Sequence, residues 1–168
     1  MLQTGDLVLR LGNDVTSSML SQLNLREKKY SHCGIVVVEE GKPYIYHSIG
    51  GEYNPDQKIK RETPAQWFSP DNNLAIAIAR LHIDSAGLGK AAKTVQAYYK
   101  EGRKFDMEFD LASDDRLYCA EMIWKSVQTA IDDSAFFPIT TAFGRKYIGI
   151  DDLYYHPHSS LICRVQYK

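Results

Sequence analysis

Two apolar runs on either side of a Glu-Gly-Lys-Pro turn constrain this chain most. Residues 32–40 read HCGIVVVEE and residues 44–48 read YIYHS. Both are rich in β-branched and aromatic residues, and the turn signal between them makes the pair a β-hairpin. Side chains alternate along a strand, so His32, Gly34, Val36 and Val38 share one face, and Cys33, Ile35 and Val37 share the other. With Glu40-Gly41 as a two-residue loop, Glu39 faces Lys42 and His47 faces Gly34. His32 and His47 then lie diagonally on one face, within reach of two imidazoles, and the bare Gly34 leaves room for the ring of His47. A slip of one residue would carry His47 to the other face. On its own, a pair of strand histidines is more often incidental than catalytic.

The rest of the chain supplies further strands and at least three helices. LVLR (7–10), LAIAIARL (74–81) and LICRVQY (161–167) read as strands. Residues 13–23 have helical spacing at Val15, Met19 and Leu23, with Asn13 or Asp14 as cap. Thr63-Pro64 opens a short helix through Trp67, residues 50–57 form a loop, and residues 88–101 form a helix that Gly102 stops. Neighbouring hairpin strands with separated helices predict an α+β fold with a mainly antiparallel sheet. The 168 residues suit a single domain, 1–168.

The formal net charge of -1 gives no electrostatic case for nucleic acid or an anionic membrane. No apolar stretch approaches the ~20 residues of a membrane span, and no signal peptide opens the chain. A soluble, cytoplasmic protein is expected, unless a leader has been removed. Its three cysteines, Cys33, Cys119 and Cys163, include no Cys-x-x-Cys pair and no zinc spacing. His82 reads as a surface or edge residue, and His156 and His158 flank Pro157 in a loop without a metal-ligand partner. No metal or organic cofactor is called for. The eleven tyrosines fit strands as readily as a binding cleft.

RLYCAEMIWK (116–125) raises the chemical question. At 100° per residue, Leu117, Ala120, Trp124, Val127 and Ile131 form an apolar stripe, widened by Ile123, Ser126 and Ala130. Glu121, Lys125, Gln128 and Asp132 make a narrow polar face, with Glu121 and Lys125 at a favourable i,i+4 spacing. The helix, 118–131, is therefore largely buried. Cys119 stands in its first turn, with Ser113, Asp114 or Asp115 to cap it. The partial positive charge there favours a thiolate, and the free N–H groups can hold an oxyanion. The same position suits a buried structural cysteine. Cys33, which faces away from His32, and Cys163 read as packing residues.

Six motifs in order, GDLV (5–8), YSHCGIVV (30–37), YIYHS, KFDMEF (104–109), LYCAEMIW (117–124) and DDLYYHP (151–157), resemble the YiiX-like proteins. These are the circularly permuted branch of the NlpC-type papain-fold cysteine peptidases. The resemblance covers nearly the whole chain. It implies a permuted papain-like fold, with the sheet packed against a central helix that starts at the cysteine. It also implies Cys119 as nucleophile, His32 as general base and His47 as the residue that orients it. Many permuted members have a glutamate at this third position, so Glu52 and Asp56 stand as alternatives. The implied reaction is cysteine-dependent hydrolysis of an amide, of a peptidoglycan-type peptide, a γ-glutamyl linkage or an N-acyl amino acid. Related permuted folds of the lecithin retinol acyltransferase type move acyl chains, and a binding module on the same fold is a further reading. The expected partner is a small peptide or acyl-amino-acid substrate. Tyr118 and the Tyr154–Tyr155 pair are candidates for the oxyanion-hole side chain.

Overall fold

The computed structural model describes residues 1–167. Six strands form one antiparallel sheet: β1 (Leu7–Gly12), β2 (His32–Glu39), β3 (Lys42–His47), β4 (Lys60–Glu62), β5 (Asn73–Leu81) and β8 (Ser159–Gln166). Their spatial order is β4-β3-β2-β1-β5-β8. A small separate hairpin joins β6 (Thr140–Ala142) to β7 (Arg145–Tyr147).

The hairpin register is the one read from the sequence. Glu39 pairs with Lys42 and Ile35 with Tyr46. Glu40 and Gly41 both take positive φ, 49° and 78°, the conformation that a tight two-residue turn needs to match strand twist. The space at Gly34 has a different use from the one expected. A Cβ there would lie 2.6 Å from Ile45 Cγ2 and 3.2 Å from Trp67, so the glycine admits those two side chains and not the ring of His47.

The sheet has two unlike faces. Leu7, Leu9, Cys33, Ile35, Val37 and the alanines of β5 pack against α3 (Ser85–Glu101), α4 (Cys119–Ile131) and α5 (Ile150–Tyr154). This is the main core. On the other face, Val8, Val36 and Ile45 bury Trp67 of α2 (Pro64–Trp67) in a smaller cluster. Thr63 caps α2 in a reciprocal capping box with Gln66. Gly102 ends α3 with left-handed φ of 68°.

Several elements depart from the sequence reading. In α1 (Val15–Ser21), capped by Asp14, the spaced residues Val15 and Met19 are 77% and 68% exposed. The two-turn helix rests on β1 and β2 with its other side, and this stripe is left facing out. Leu161 and Val165 of β8 are likewise exposed, and Cys163 is only half-buried, since β8 is the sheet's outer strand. The short strand β4, the β6–β7 hairpin and α5 were not expected. DDLYYHP contributes a buried clip: Asp151 accepts from the Arg26 backbone N–H at 2.7 Å, Asp152 pairs with the Arg26 guanidinium, and Asn24 Oδ1 accepts from Ile150 N–H at 2.9 Å. Burying these carboxylates is tolerable because each is hydrogen-bonded.

Candidate active site

The site gathers where β1 and β3 end and where β2 and α4 begin. His32 opens β2 and His47 closes β3. Both point to the Trp67 face, with ring centroids 5.3 and 4.9 Å from that indole. His32 Nε2 lies 2.8 Å from His47 Nδ1. The pair read from the alternation is thus a direct contact between two buried rings.

A third member was missed by the sequence reading. Glu62 Oε2 stands 3.4 Å from His47 Nε2. That is an ion-pair separation; by hydrogen-bond geometry the nitrogen has no partner. β4 pairs Glu62 with Ile45, on the face His47 shares, which sets the carboxylate diagonally across from the imidazole. Residues 60–62 are too short and too charged to announce a strand. Glu52 and Asp56 do not take this place: both are exposed, and Asp56 accepts from the Lys58 backbone N–H at 3.0 Å.

With a proton placed on His47 Nε2 beside Glu62, these contacts are met by one set of tautomers. Glu62 favours a proton on His47 Nε2. His47 Nδ1 then accepts from His32 Nε2–H, which leaves the Nδ1 lone pair of His32 without a hydrogen-bond partner among the described residues. That atom is the one able to take up a proton. Burial, then the Arg10 charge, then His47 hold the His32 pKa well below the ordinary histidine value. His47 is also lowered, chiefly by burial, although Glu62 opposes the shift. Both shifts favour the neutral ring, the form that a base needs.

Cys119 lies across the sheet end, on the main-core face, 9% exposed. Its thiolate is favoured first by a hydrogen bond from the Cys33 thiol, then by the backbone N–H groups of Cys33, Ala120 and Cys119 itself, all against the cost of burial. Cys33 shows the converse, its pKa raised well above the ordinary thiol value by burial first and by Cys119 second. The directions favour Cys33 as the donor and Cys119 as the acceptor of the pair. It was read as a packing residue; it packs, and it also touches the candidate nucleophile. No hydrogen bond joins Cys119 to either imidazole among the described residues.

The segment that carries Cys119 is tied down from several sides. Ser48, next to His47, donates to the Leu117 carbonyl at 2.6 Å. Tyr118 is the N-cap and has no side-chain cap bond; instead its backbone N–H donates to Glu121 at 3.2 Å. Ser113, Asp114 and Asp115 do not cap α4, and Asp114 pairs with Lys125 at 2.8 Å. Glu121 is fully buried rather than on a wet polar face, 3.0 Å from Lys125, and burial pushes its pKa up to about 7. The tyrosines considered for the oxyanion hole have other duties. Tyr118 Oη accepts from Ile148 N–H at 2.7 Å, Tyr154 Oη donates to Glu27, and Tyr155 lies under the Arg26 guanidinium.

His82 bonds Ser160 at 2.7 Å, and His156 and His158 pack on Phe136, away from this site. Among the described residues no group of three or more His, Cys, Asp or Glu side chains is arranged to hold a metal ion. Among the described residues no helix is long and apolar enough to cross a membrane.

Residues 1–142 match a family described as permuted papain-like amidase enzymes, YaeF/YiiX, C92 family. An uncharacterised protein, YiiX of Escherichia coli (strain K12), is 28% identical over 134 residues; the match spans 77% of this chain and 59% of the relative's length. The crystal structure of a protein titled metalloprotein YiiX, from Escherichia coli O157:H7, superposes with a TM-score of 0.77 at 21% identity, covering 98% of both chains. This fold is a permuted papain-like one, α+β with a mainly antiparallel sheet.

Proposed function

The chain belongs to the YaeF/YiiX, C92 family of permuted papain-like amidases, and on that premise we propose that it is a cysteine hydrolase of amide bonds in which Cys119, His32 and His47 do the chemistry. The observation that carries this reading is the His32–His47 contact at 2.8 Å, which turns His32 Nδ1 into a free proton acceptor beside the strand residue that touches the thiol.

In this reading His32 Nδ1 takes the proton of Cys119 as the sulfur attacks the substrate carbonyl carbon. Catalytic contacts of this kind are often long in the unliganded protein and tighten when substrate enters. The N–H groups at the head of α4 hold the oxyanion. His32 returns its proton to the departing amine as the C–N bond breaks, leaving a thioester. Water, deprotonated by His32, then attacks the thioester, releases the acid and regenerates the thiol. His47 and Glu62 keep the ring of His32 in one tautomer and stabilise the imidazolium that forms. The substrate is a small peptide or N-acyl amino acid. The word metalloprotein belongs to the relative's title; among the described residues here no group of three or more His, Cys, Asp or Glu side chains is arranged to hold a metal ion.

The test is a screen of short cell-wall-type peptides, γ-glutamyl peptides and N-acyl amino acids, run with the protein and with Cys119→Ala. The variant is expected to keep its melting temperature within a few degrees and to lose at least about 10³-fold in kcat/KM. Full activity in Cys119→Ala would reject the nucleophile.

A further inference from the structure

Arg10 is the cation of this site, and the reaction just described gives it no task. It is the cross-strand partner of His32, on the face where Trp67 and the histidines stand. Its guanidinium carbon lies 4.4 Å over the Trp67 ring. Stacking uses the flat face of a guanidinium and leaves the N–H edge free. That edge takes part in no hydrogen bond and no ion pair among the described residues. Elsewhere in the protein, half-buried arginines are paired: Arg61 with Glu39, Arg80 with Asp6 at 2.8 Å, Arg103 with Glu101 at 2.7 Å. A half-buried guanidinium that is positioned by an indole and has unfilled donors is arranged to receive an anion.

Glu62, the carboxylate that acts most strongly on Arg10, is already paired with His47. Arg10 nonetheless feels Glu62, Cys119 and the α1 cap Asp14, and it acts in turn on His32 and His47. It is therefore electrostatically in touch with both the thiol and the imidazoles. An anion at its N–H edge would sit on the histidine face, beside His32, the cross-strand partner of Arg10.

We infer that Arg10 is a substrate-binding residue that receives a carboxylate, so that the hydrolase takes anionic amides, N-acyl amino acids or peptides with a free carboxylate near the scissile bond, over neutral ones. The inference rests on Cys119 being the reactive thiol of the proposed reaction but does not need the natural substrate. It gives Arg10 a specificity role, which a purely structural arginine lacks. The charged and titratable groups that act on Arg10 or on which it acts are Glu62 on β4, His32 on β2, His47 on β3, Asp14 before α1 and, from the other face, Cys119 on α4; Lys60 on β4 is a second cation that acts on His47 and Glu62.

The experiment compares two alkylating agents of one size that differ in charge, iodoacetate and iodoacetamide. In each, the sulfur of Cys119 forms a bond to the CH2 carbon and iodide leaves with the pair of the C–I bond. Rates are measured at pH 7.5 by mass spectrometry of the Cys119 peptide, with the half-buried Cys163 as internal reference. Taking the ratio of the two rates cancels any change in thiolate fraction. The iodoacetate-to-iodoacetamide ratio at Cys119 is expected to exceed that at Cys163 by about tenfold or more, the scale of one charge-assisted hydrogen bond. Arg10→Gln should bring it down to the Cys163 value, Arg10→Lys should restore part of it, and Lys60→Gln should leave it within about twofold, as a solvent-screened charge does. An unchanged ratio in Arg10→Gln, or collapse in Lys60→Gln alone, would overturn the assignment. Should Arg10→Gln not fold, 50 mM acetate must slow iodoacetamide at Cys119 more than at Cys163 in the unaltered protein, about twofold or more for an anion site filled at that concentration; equal slowing overturns it too. Neither readout needs turnover, so failure of the amide screen leaves this result standing, and the converse.

Discussion

His32 and Cys33 are adjacent in the chain, yet they face opposite sides of the sheet and, in the proposed reaction, prepare opposite partners. On the Trp67 side, aromatic walls and a neighbouring cation keep two imidazoles neutral, and a carboxylate sets their protons in order. On the helix side, a buried thiol and three backbone N–H groups favour negative charge on Cys119. One face is built to accept a proton and the other to release one. The period-two alternation of a strand provides this division without any loop.

Breaking the proton-accepting face should have the largest effect. In the amide hydrolysis assay His32→Ala should lower kcat/KM by about 10²–10⁴, the range of a lost general base. His47→Ala should lose less, about ten- to a hundredfold, because it orients rather than transfers. Glu62→Gln should lose least of the three, since its 3.4 Å contact with His47 is long for a charge-assisted bond. A larger loss in His47→Ala than in His32→Ala would show that their roles are exchanged.

The other face is sharpened by Cys33. Cys33→Ala removes the S–H donor, so the Cys119 alkylation profile should move to higher pH and the rate at pH 7 should fall. Cys33→Ser keeps a donor and should recover part of the rate. No movement in Cys33→Ala would leave the helix N-terminus as the whole source of thiol activation.

Glu121, two residues after Cys119 in α4, tests stability rather than catalysis. Its carboxyl is raised to about 7 in the folded protein, so between the unfolded value and about pH 7 the native state holds more protons. Stability from this group is present at low pH and is lost as pH rises through that window. Glu121→Gln keeps an acceptor for Tyr118 N–H, and should raise the melting temperature at pH 8 by a few degrees while changing little at pH 4.5. The buried histidines have the opposite sign. Their lowered pKa values mean that the unfolded chain gains protons first, so stability falls as pH drops below ~6.5. Thermal melts across pH 4.5–8 separate the two.

Much of this was legible in the chain because it depends on local rules. The hairpin register followed from a turn that must have positive φ, and with it came the shared face of His32 and His47. The helix at Cys119 followed from an apolar arc too wide for a surface helix. What escaped depends on tertiary placement. Glu62 lies in a three-residue strand that exists only because β3 offers an edge. Cys33 was assigned to packing by alternation alone, and strand periodicity cannot say which helix terminus lies above. Asp14 was legible as a cap, but a two-turn amphipathic helix gave no sign that Val15 and Met19 would face water. Arg10 reads as an ordinary strand residue until Trp67 is seen beneath it.

The central claim is that Cys119 and His32 act as one unit across the end of the sheet. The direct measurement is the rate of Cys119 alkylation by iodoacetamide against pH, in the unaltered protein and in His32→Ala. The account predicts reaction well below the free-thiol pKa of ~8.5, and a profile that shifts when His32 is removed. Identical profiles in the two proteins, both matching that of Cys163, would contradict it.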